Sequence, residues 1–313
     1  MNQLRYFLFA ALAIILCGGC SQKQNNQSAT LKLGVMSSMD YLPLAVAQRE
    51  GYFKELDLNI ELVKFYGAND RDAAFQSGNI DGTVIDYTGA VLQKSGGIAL
   101  TLTSKCDAPF YIVAQSNIQN IKGLKGKSVG ISQNTVIDYC LDMALKADSM
   151  TQTDVQKVEL NKIPVRFEML MNNKTDAVGL PDPFASMAKN AGKNVLTSNS
   201  DLGFGITGIM FRDEALKEKA ELIKKMYKAY NKGVEYIKTH SVEDIRGILE
   251  SDFGFPAELV AGAKLPDYTK AQAPKAGDLK SVSEWLASRK LIADNFDLST
   301  IADDQYLTDD SNK

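Results

Sequence analysis

Polar and aromatic side chains directly follow three predicted strands in the first third of this chain. The strands are predicted over 31–36, 58–65 and 80–85, where apolar residues alternate or run together between turn residues. The residues that follow these strands are Ser37, Ser38, Asp40, Tyr41, Tyr66, Gly67, Asp86, Tyr87 and Thr88. In open α/β sheets ligands bind outside the carboxyl ends of the strands, so we predict a small-molecule site here. Helix capping is the alternative role for the short polar residues.

The same pattern occurs a second time further along the chain. A buried strand predicted over 128–131 ends in a polar loop, and Asn134 or Thr135 can cap the helix after it. A short strand at 177–178 opens into the proline-rich loop 180–184. The candidate ligand-binding residues of this second group are Asn134, Thr135, Asp138, Asp182 and Phe184. The two groups can face each other across a cleft.

Composition argues against several classes of protein. The 35 Lys and Arg residues nearly balance the 38 Asp and Glu residues, which gives no basic character suited to nucleic acid. His240 is the only histidine, so a His-based zinc site, a Ser-His-Asp triad or a Cys-His pair cannot be built around it. The single histidine therefore argues against a hydrolase, and we predict a protein that is not an enzyme and uses no metal or cofactor. Cys106 and Cys140 are either separate buried thiols or a disulfide.

The N-terminus carries an export signal. Arg5 precedes an apolar run over 6–17, which suits a secretory signal and is too short to span a bilayer as a helix. The segment resembles a bacterial lipoprotein signal, although Cys17 stands where leucine is usual. The resemblance implies a signal peptide over 1–19, a lipid on Cys20 and a tether over 20–30. An ordinary secreted protein without lipid is the alternative.

Strands and helices alternate through most of the chain, which predicts α/β lobes with parallel strands and right-handed crossovers. The chain is expected to change lobe at Cys106 and to return through a strand over 206–211. Beyond that strand, apolar residues recur at helical spacing between 222 and 237, which predicts a helix with one buried face. We predict one lobe of 31–105 plus 209–313 and a second of 106–208, closing by hinge motion.

Four stretches resemble the periplasmic substrate-binding proteins of nitrate, sulfonate and taurine importers and the related thiamine-pyrimidine proteins. They are 41–53, 77–81, 124–130 and 176–183, within a likeness that runs from about 31 to 300. The resemblance implies a type II, clamshell periplasmic-binding-protein fold with a helical C-terminal part. It also implies a monomeric, lipid-anchored protein on the periplasmic side of a bacterial membrane. Such a protein delivers its ligand to an ABC importer whose permease and ATPase are separate chains.

The charges of the candidate set bear on the ligand. It holds Asp40, Asp86, Asp138 and Asp182, with Lys105 as the only base near it. Carboxylates together with aromatic rings suit a nitrogenous heteroaromatic compound of the thiamine-pyrimidine type. An alkanesulfonate, taurine or nitrate would instead select arginine, lysine or helix N-termini, and it stays open as the alternative.

Two other functions fit the same sequence pattern. A lipid-anchored sensor could present the ligand to a membrane receptor. An enzyme on the same scaffold is disfavoured, because the pyrimidine synthases that resemble this family carry a cysteine-rich motif and a cleft histidine, and this chain shows neither.

Overall fold

The computed structural model of the protein describes residues 30–307. The predicted signal peptide and the lipid attachment at Cys20 lie outside these residues. The strands are β1 (Leu31–Met36), β2 (Ile60–Phe65), β3 (Gly82–Asp86), β4 (Leu100–Cys106), β5 (Phe110–Ala114), β6 (Ser128–Ile131), β7 (Gln156–Glu159), β8 (Ala177–Pro181), β9 (Asn194–Ser198) and β10 (Thr207–Arg212). They form two sheets, of order β2-β1-β3-β10-β4 and β7-β6-β8-β5-β9.

The two sheets share one design, as the predicted two-lobed α/β fold requires. In the first sheet β1 pairs in parallel with β2 and β3, and in the second β6 pairs in parallel with β7 and β8. One antiparallel strand lies next to last in each sheet, β10 between β3 and β4 in the first and β5 between β8 and β9 in the second. The predicted parallel pairing is found in each sheet, and in the first sheet β10, which returns from the second sheet, lies antiparallel between β3 and β4.

Two strands begin about two residues later than predicted. Leu58 and Ile80 are buried although they precede β2 and β3. Burial of an apolar side chain at the entry to a sheet does not require backbone pairing, so the hydrophobic pattern extended each strand too far.

The helices cover the faces of the sheets and form the C-terminal part. They are α1 (Leu42–Arg49), α2 (Tyr52–Glu55), α3 (Ala68–Gln76), α4 (Tyr87–Ser95), α5 (Val136–Ala147), α6 (Ile163–Met171), α7 (Phe184–Asn190), α8 (Asp213–Glu218), α9 (Ala220–Thr239), α10 (Arg246–Ile248), α11 (Ala257–Val260) and α12 (Ala276–Ser288). Within residues 30–307, none of them is long and apolar enough to cross a membrane.

The long helix α9 packs on α1 through the buried face that its spacing predicts. Ile223, Met226, Tyr230 and Val234 of this face are all buried. Gly233 lets the two backbones approach closely, because a Cβ atom there would lie 2.1 Å from the carbonyl oxygen of Pro43. This contact joins the C-terminal helices to the first sheet.

The chain passes between the sheets through two short connections, 107–109 and 199–206. Lys105 and Asp107 form an ion pair beside the first connection, and the backbone N–H of Thr269 donates to Asp107 Oδ2 at 2.8 Å. Cys106 and Cys140 are buried and free, so they are the separate thiols of the two alternatives.

Candidate functional site

A cavity of about 50 Å³ lies between the two sheets. Residues from both sheets line it, and the candidate set contributes Ser38, Asp40, Asp86 and Thr135. Its other polar lining residues are Arg71, Ser132, Asn161, Arg166 and Thr207. The carboxyl ends of β1 and β3 therefore face those of β6 and β7, which is the arrangement that the polar residues after the strands predict.

Two carboxylates stand on the side of the first sheet. Ser38 Oγ donates to Asp40 Oδ1 at 2.6 Å, and the backbone N–H of Gly89 donates to Asp86 Oδ1 at 2.7 Å. The Thr88 hydroxyl also donates to Asp86 Oδ1. Among residues 30–307, no other residue donates to Oδ2 of either carboxylate, so those two oxygens are available to a ligand.

Burial raises the pKa of the Asp40 carboxyl to about 6. The folded protein therefore holds this proton over a range in which the unfolded chain has lost it, and stability falls as pH rises from about 4 to about 6. We expect Asp40→Asn to remove this penalty and to reduce the loss of unfolding free energy between about pH 4 and pH 7 by about 2 kcal/mol. Urea unfolding at the two pH values measures it.

Asp70→Asn is the matched control for that prediction, because Asp70 is exposed on α3. In the Asp40→Asn chain, the neutral amide oxygen that replaces the carboxylate can still accept from Ser38. If the stability of Asp40→Asn depends on pH in the same way as that of the unaltered chain, the assignment of this proton to Asp40 is contradicted.

Two buried arginines line the cavity, and sequence reasoning missed both. Arg71 of α3 donates through Nε to Asp72 Oδ1 at 2.9 Å, and its Nη2 lies 2.8 Å from the same oxygen. Arg166 of α6 donates through Nε to the carbonyl of Gly179 and through Nη1 to that of Leu160, both at 2.8 Å. These contacts correct the expectation that Lys105 is the only base near the site.

Arg166 Nη2 donates to no residue in the part of the chain that the structure describes. Burial lowers the pKa of Arg166 to about 10, so the guanidinium stays charged at neutral pH. A feature of the sequence could have indicated Arg166. Helix 163–171 is largely apolar, and Arg166 is the only arginine in it. Because a charged residue is rarely buried without a partner, an arginine in such a helix points to a binding role.

The four aromatic residues of the candidate set do not line the cavity. The Tyr41 ring packs on Phe253 at 4.6 Å, and Tyr66 is 53% exposed. Tyr87 is buried, with no partner for its hydroxyl among the described residues. Phe184 packs on Phe167, with ring centres 5.6 Å apart. Phe110, outside the candidate set, is the aromatic residue among those that line the cavity.

The remaining candidates do not line the cavity. Ser37 is buried after β1, and Asn134 lies between the lining residues Ser132 and Thr135. Asp138 is fully buried in ion pairs with Lys157 and Arg289. Asp182 accepts from the backbone N–H and the hydroxyl of Ser186, at 2.9 and 2.8 Å. It lines a separate groove that residues 258–259 and 262–264 also line.

Gly67 contributes to a contact between the two sheets. Gly67 forms an antiparallel bridge with Lys162, and the backbone N–H of Ile163 donates to the carbonyl of Tyr66 at 3.1 Å. A loop of the first sheet thus contacts a loop of the second beside the cavity.

Helix α5 begins at the cavity. Thr135 and Val136 line the cavity, and the Thr135 hydroxyl donates to the carbonyl of Ser132 at 2.8 Å, so it does not cap the helix. The first backbone N–H groups of a helix carry partial positive charge, which favours an acidic ligand group. Among residues 30–307, no cluster of three or more His, Cys, Asp or Glu side chains is arranged to hold a metal ion.

Two curated relatives show what kinds of protein this chain resembles. YtlA of Bacillus subtilis, whose name describes a binding protein, is 23% identical over 295 residues, which cover 89% of this chain and 85% of YtlA. The 4-amino-5-hydroxymethyl-2-methylpyrimidine phosphate synthase THI11 of Saccharomyces cerevisiae is 24% identical over 224 residues, 65% of each chain.

Solved structures share the fold at lower identity. The nitrate-binding protein NrtA of Synechocystis superposes with a TM-score of 0.75 at 12% identity, over 88% of this chain and 86% of NrtA. The alkanesulfonate-binding protein SsuA of Xanthomonas axonopodis, bound to MOPS, gives a TM-score of 0.72 at 16% identity, over 84% and 94%. They confirm the two-lobed periplasmic-binding-protein fold. The model of the family described as NMT1/THI5 like matches residues 38–243, more than half of the sequence, so this chain belongs to the NMT1/THI5-like family.

Proposed function

We propose that this protein captures a small solute between its two sheets and delivers it to an ABC importer outside the cytoplasm. Family membership and the cavity between the sheets support this proposal. In this proposal, 31–105 with 209–313 and 106–208 are the two lobes. The connections 107–109 and 199–206 act as the hinge.

The proposed ligand is a small zwitterion that carries an acidic group and an amine, such as an aminosulfonate or an amino acid. One observation carries this choice: Arg166 Nη2 is available on the side of the second sheet, and Oδ2 of Asp40 and Asp86 on the side of the first. Guanidinium groups bind oxyanions, and carboxylates accept from amines. A ligand with both groups bridges the two sheets and favours their closed arrangement.

A nitrogenous heteroaromatic compound of the thiamine-pyrimidine type is the second candidate. Phe110 offers one aromatic ring at the cavity, and Asp40 and Asp86 can accept from ring amino groups. The likeness to the yeast pyrimidine phosphate synthase favours this candidate. Binding of plain nitrate or alkanesulfonate would use Arg166 and leave Oδ2 of Asp40 and of Asp86 without a donor.

The remaining parts of the proposal concern location and partners. The N-terminal signal sequence supports a lipid on Cys20 and a position on the periplasmic side of a bacterial membrane, and we propose that the protein acts there as a monomer. The permease and the ATPase would be separate chains, and a sensor receptor is the alternative partner. The proposal involves no catalytic step, and His240 lies at the exposed end of α9, away from the cavity lining.

Thermal unfolding of residues 21–313 against a panel of compounds tests the proposal. The panel contains taurine, glycine and other amino acids, methanesulfonate, nitrate and 4-amino-5-hydroxymethyl-2-methylpyrimidine. A compound that binds only the folded state stabilises it by about 2.7 kcal/mol at a hundredfold excess over its dissociation constant, which raises Tm by several degrees.

We expect this rise with a zwitterion and a smaller one with methanesulfonate. A rise with the pyrimidine alone would support the second candidate. If no compound raises Tm, the proposed ligand classes are contradicted.

A further inference from the structure

The C-terminal part of the chain crosses from one sheet to the other. We call residues 276–303 the C-terminal strap. One end is held to the first sheet, because the backbone N–H of Leu102 donates to the carbonyl of Ile301 at 2.8 Å and that of Asp303 donates to Leu102 at 2.9 Å. Helix α12 of the strap also packs on α4, which follows β3.

The middle of the strap is fastened to α5 of the second sheet. Trp285 Nε1 donates to Asp142 Oδ2 at 3.0 Å, and Arg289 Nη1 donates to Asp138 Oδ2 at 3.0 Å. The Trp285 ring meets Tyr139 edge to face, with ring centres 5.3 Å apart. The Arg289 guanidinium also lies over the Trp285 ring, 4.5 Å from its centre. The strap therefore joins the two sheets by specific polar contacts.

Asp138 links these contacts of the strap with α5 to the cavity. Its Oδ2 accepts from Arg289 and also from the backbone N–H of Asn134, at 2.9 Å, whereas its Oδ1 accepts from Lys157 at 2.6 Å. Asn134 has a φ of 58°, in the left-handed region that side chains other than glycine seldom adopt. Ser132 and Thr135 of the same loop line the cavity.

We propose that Arg289 is a positioning residue for the ligand-binding loop 132–135. By binding Oδ2 of Asp138 it holds that oxygen towards the Asn134 N–H, and so it stabilises the loop from the strap. The role of this loop in ligand capture rests on the proposed function, whereas the effect of Arg289 on the position of the loop does not. Lys157 and Arg289 each pair with both Asp138 and Asp142, so when Arg289 is absent both carboxylates still contact Lys157, which they then share.

Amide hydrogen exchange in the chain of residues 21–313, without any ligand, tests the coupling. We expect Arg289→Gln to speed exchange of the Asn134 amide on the order of tenfold, within the range found for residues that couple two sites. Arg289→Lys restores a cation and should return the rate towards that of the unaltered chain.

Two controls separate this effect from general loosening. Lys280→Gln removes a cation from the same helix, where Lys280 pairs with Glu284 of that helix, and should leave the Asn134 rate unchanged. The amide of Leu160, which donates to the carbonyl of Ile131 at 2.7 Å, should keep its rate in every variant. An unchanged Asn134 rate in Arg289→Gln, or an equal rise at Leu160, would overturn the proposal.

Taurine titration adds the functional consequence. Arg289→Gln should weaken taurine binding on the order of tenfold, and Lys280→Gln should not. If taurine fails to bind even the unaltered chain, the proposed ligand is contradicted, but the exchange rates still decide whether Arg289 positions the loop.

Discussion

Arg166→Lys is expected to weaken binding of a zwitterion such as taurine by more than a hundredfold, about 3 kcal/mol. The guanidinium has separate nitrogens for the carbonyls of Gly179 and Leu160 and for the ligand. One ammonium cannot reach both carbonyls and an oxyanion in the same geometry, although it keeps the positive charge. The loss should therefore appear in affinity for the acidic group, measured by calorimetric titration.

Arg246→Lys provides the matched control. Arg246 lies on the surface and pairs with Glu243 and Glu250, so its replacement should leave taurine affinity unchanged. The free energy of unfolding of Arg166→Lys is measured alongside, so that a folding defect is separated from a binding defect. Equal taurine affinity of Arg166→Lys and the unaltered chain would rule out Arg166 as the group that binds the acid.

Gly233→Ala is expected to destabilise the fold by about 3 kcal/mol. Alanine in a helix interior is ordinarily favoured over glycine by about 1 kcal/mol. Here its Cβ would lie 2.1 Å from the carbonyl oxygen and 2.9 Å from the carbonyl carbon of Pro43, so α9 and α1 must separate. Because backbone atoms cannot rotate away, we place the overpacking cost at about 4 kcal/mol, above the usual range, and it outweighs the gain.

The same substitution at Gly277 of α12 isolates the effect of the close contact. No atom lies within 4 Å of a Cβ built there, so Gly277→Ala should be neutral or raise the unfolding free energy by up to about 1 kcal/mol. Urea unfolding of both variants gives the comparison. An unfolding free energy of Gly233→Ala equal to or above that of the unaltered chain would show that α9 and α1 are not packed backbone to backbone.

Local patterns in the sequence predict much of the fold and part of the site. Apolar runs followed by polar residues locate the strand ends, and this is why Ser38, Asp40, Asp86 and Thr135 are both predicted and found at the cavity. Helical spacing likewise predicts the buried face of α9. These features depend on neighbours in the sequence, so they can be inferred without knowing the tertiary structure.

Long-range contacts account for what the sequence could not show. Asp138 follows a strand end like the other ligand candidates. Its partner Arg289 is 151 positions away, and no local pattern in the sequence joins the two residues. Arg71 and Arg166 enter the cavity from the middle of helices, where a charged residue is ordinarily taken as facing solvent. Arg166 donates to the carbonyl of Gly179, which becomes its neighbour only after folding, whereas the hydrogen bond of Arg71 to the adjacent Asp72 does not by itself indicate burial.

The place of β10 has a consequence for the order in which the chain can fold as it is synthesised. All strands of the second sheet lie between residues 110 and 198, so that sheet can be completed as soon as this segment has emerged. In the first sheet β4 pairs with β10, which begins only at Thr207. The half that starts the sequence must therefore wait for residues made after the other half, and until then β4 lacks its pairing partner.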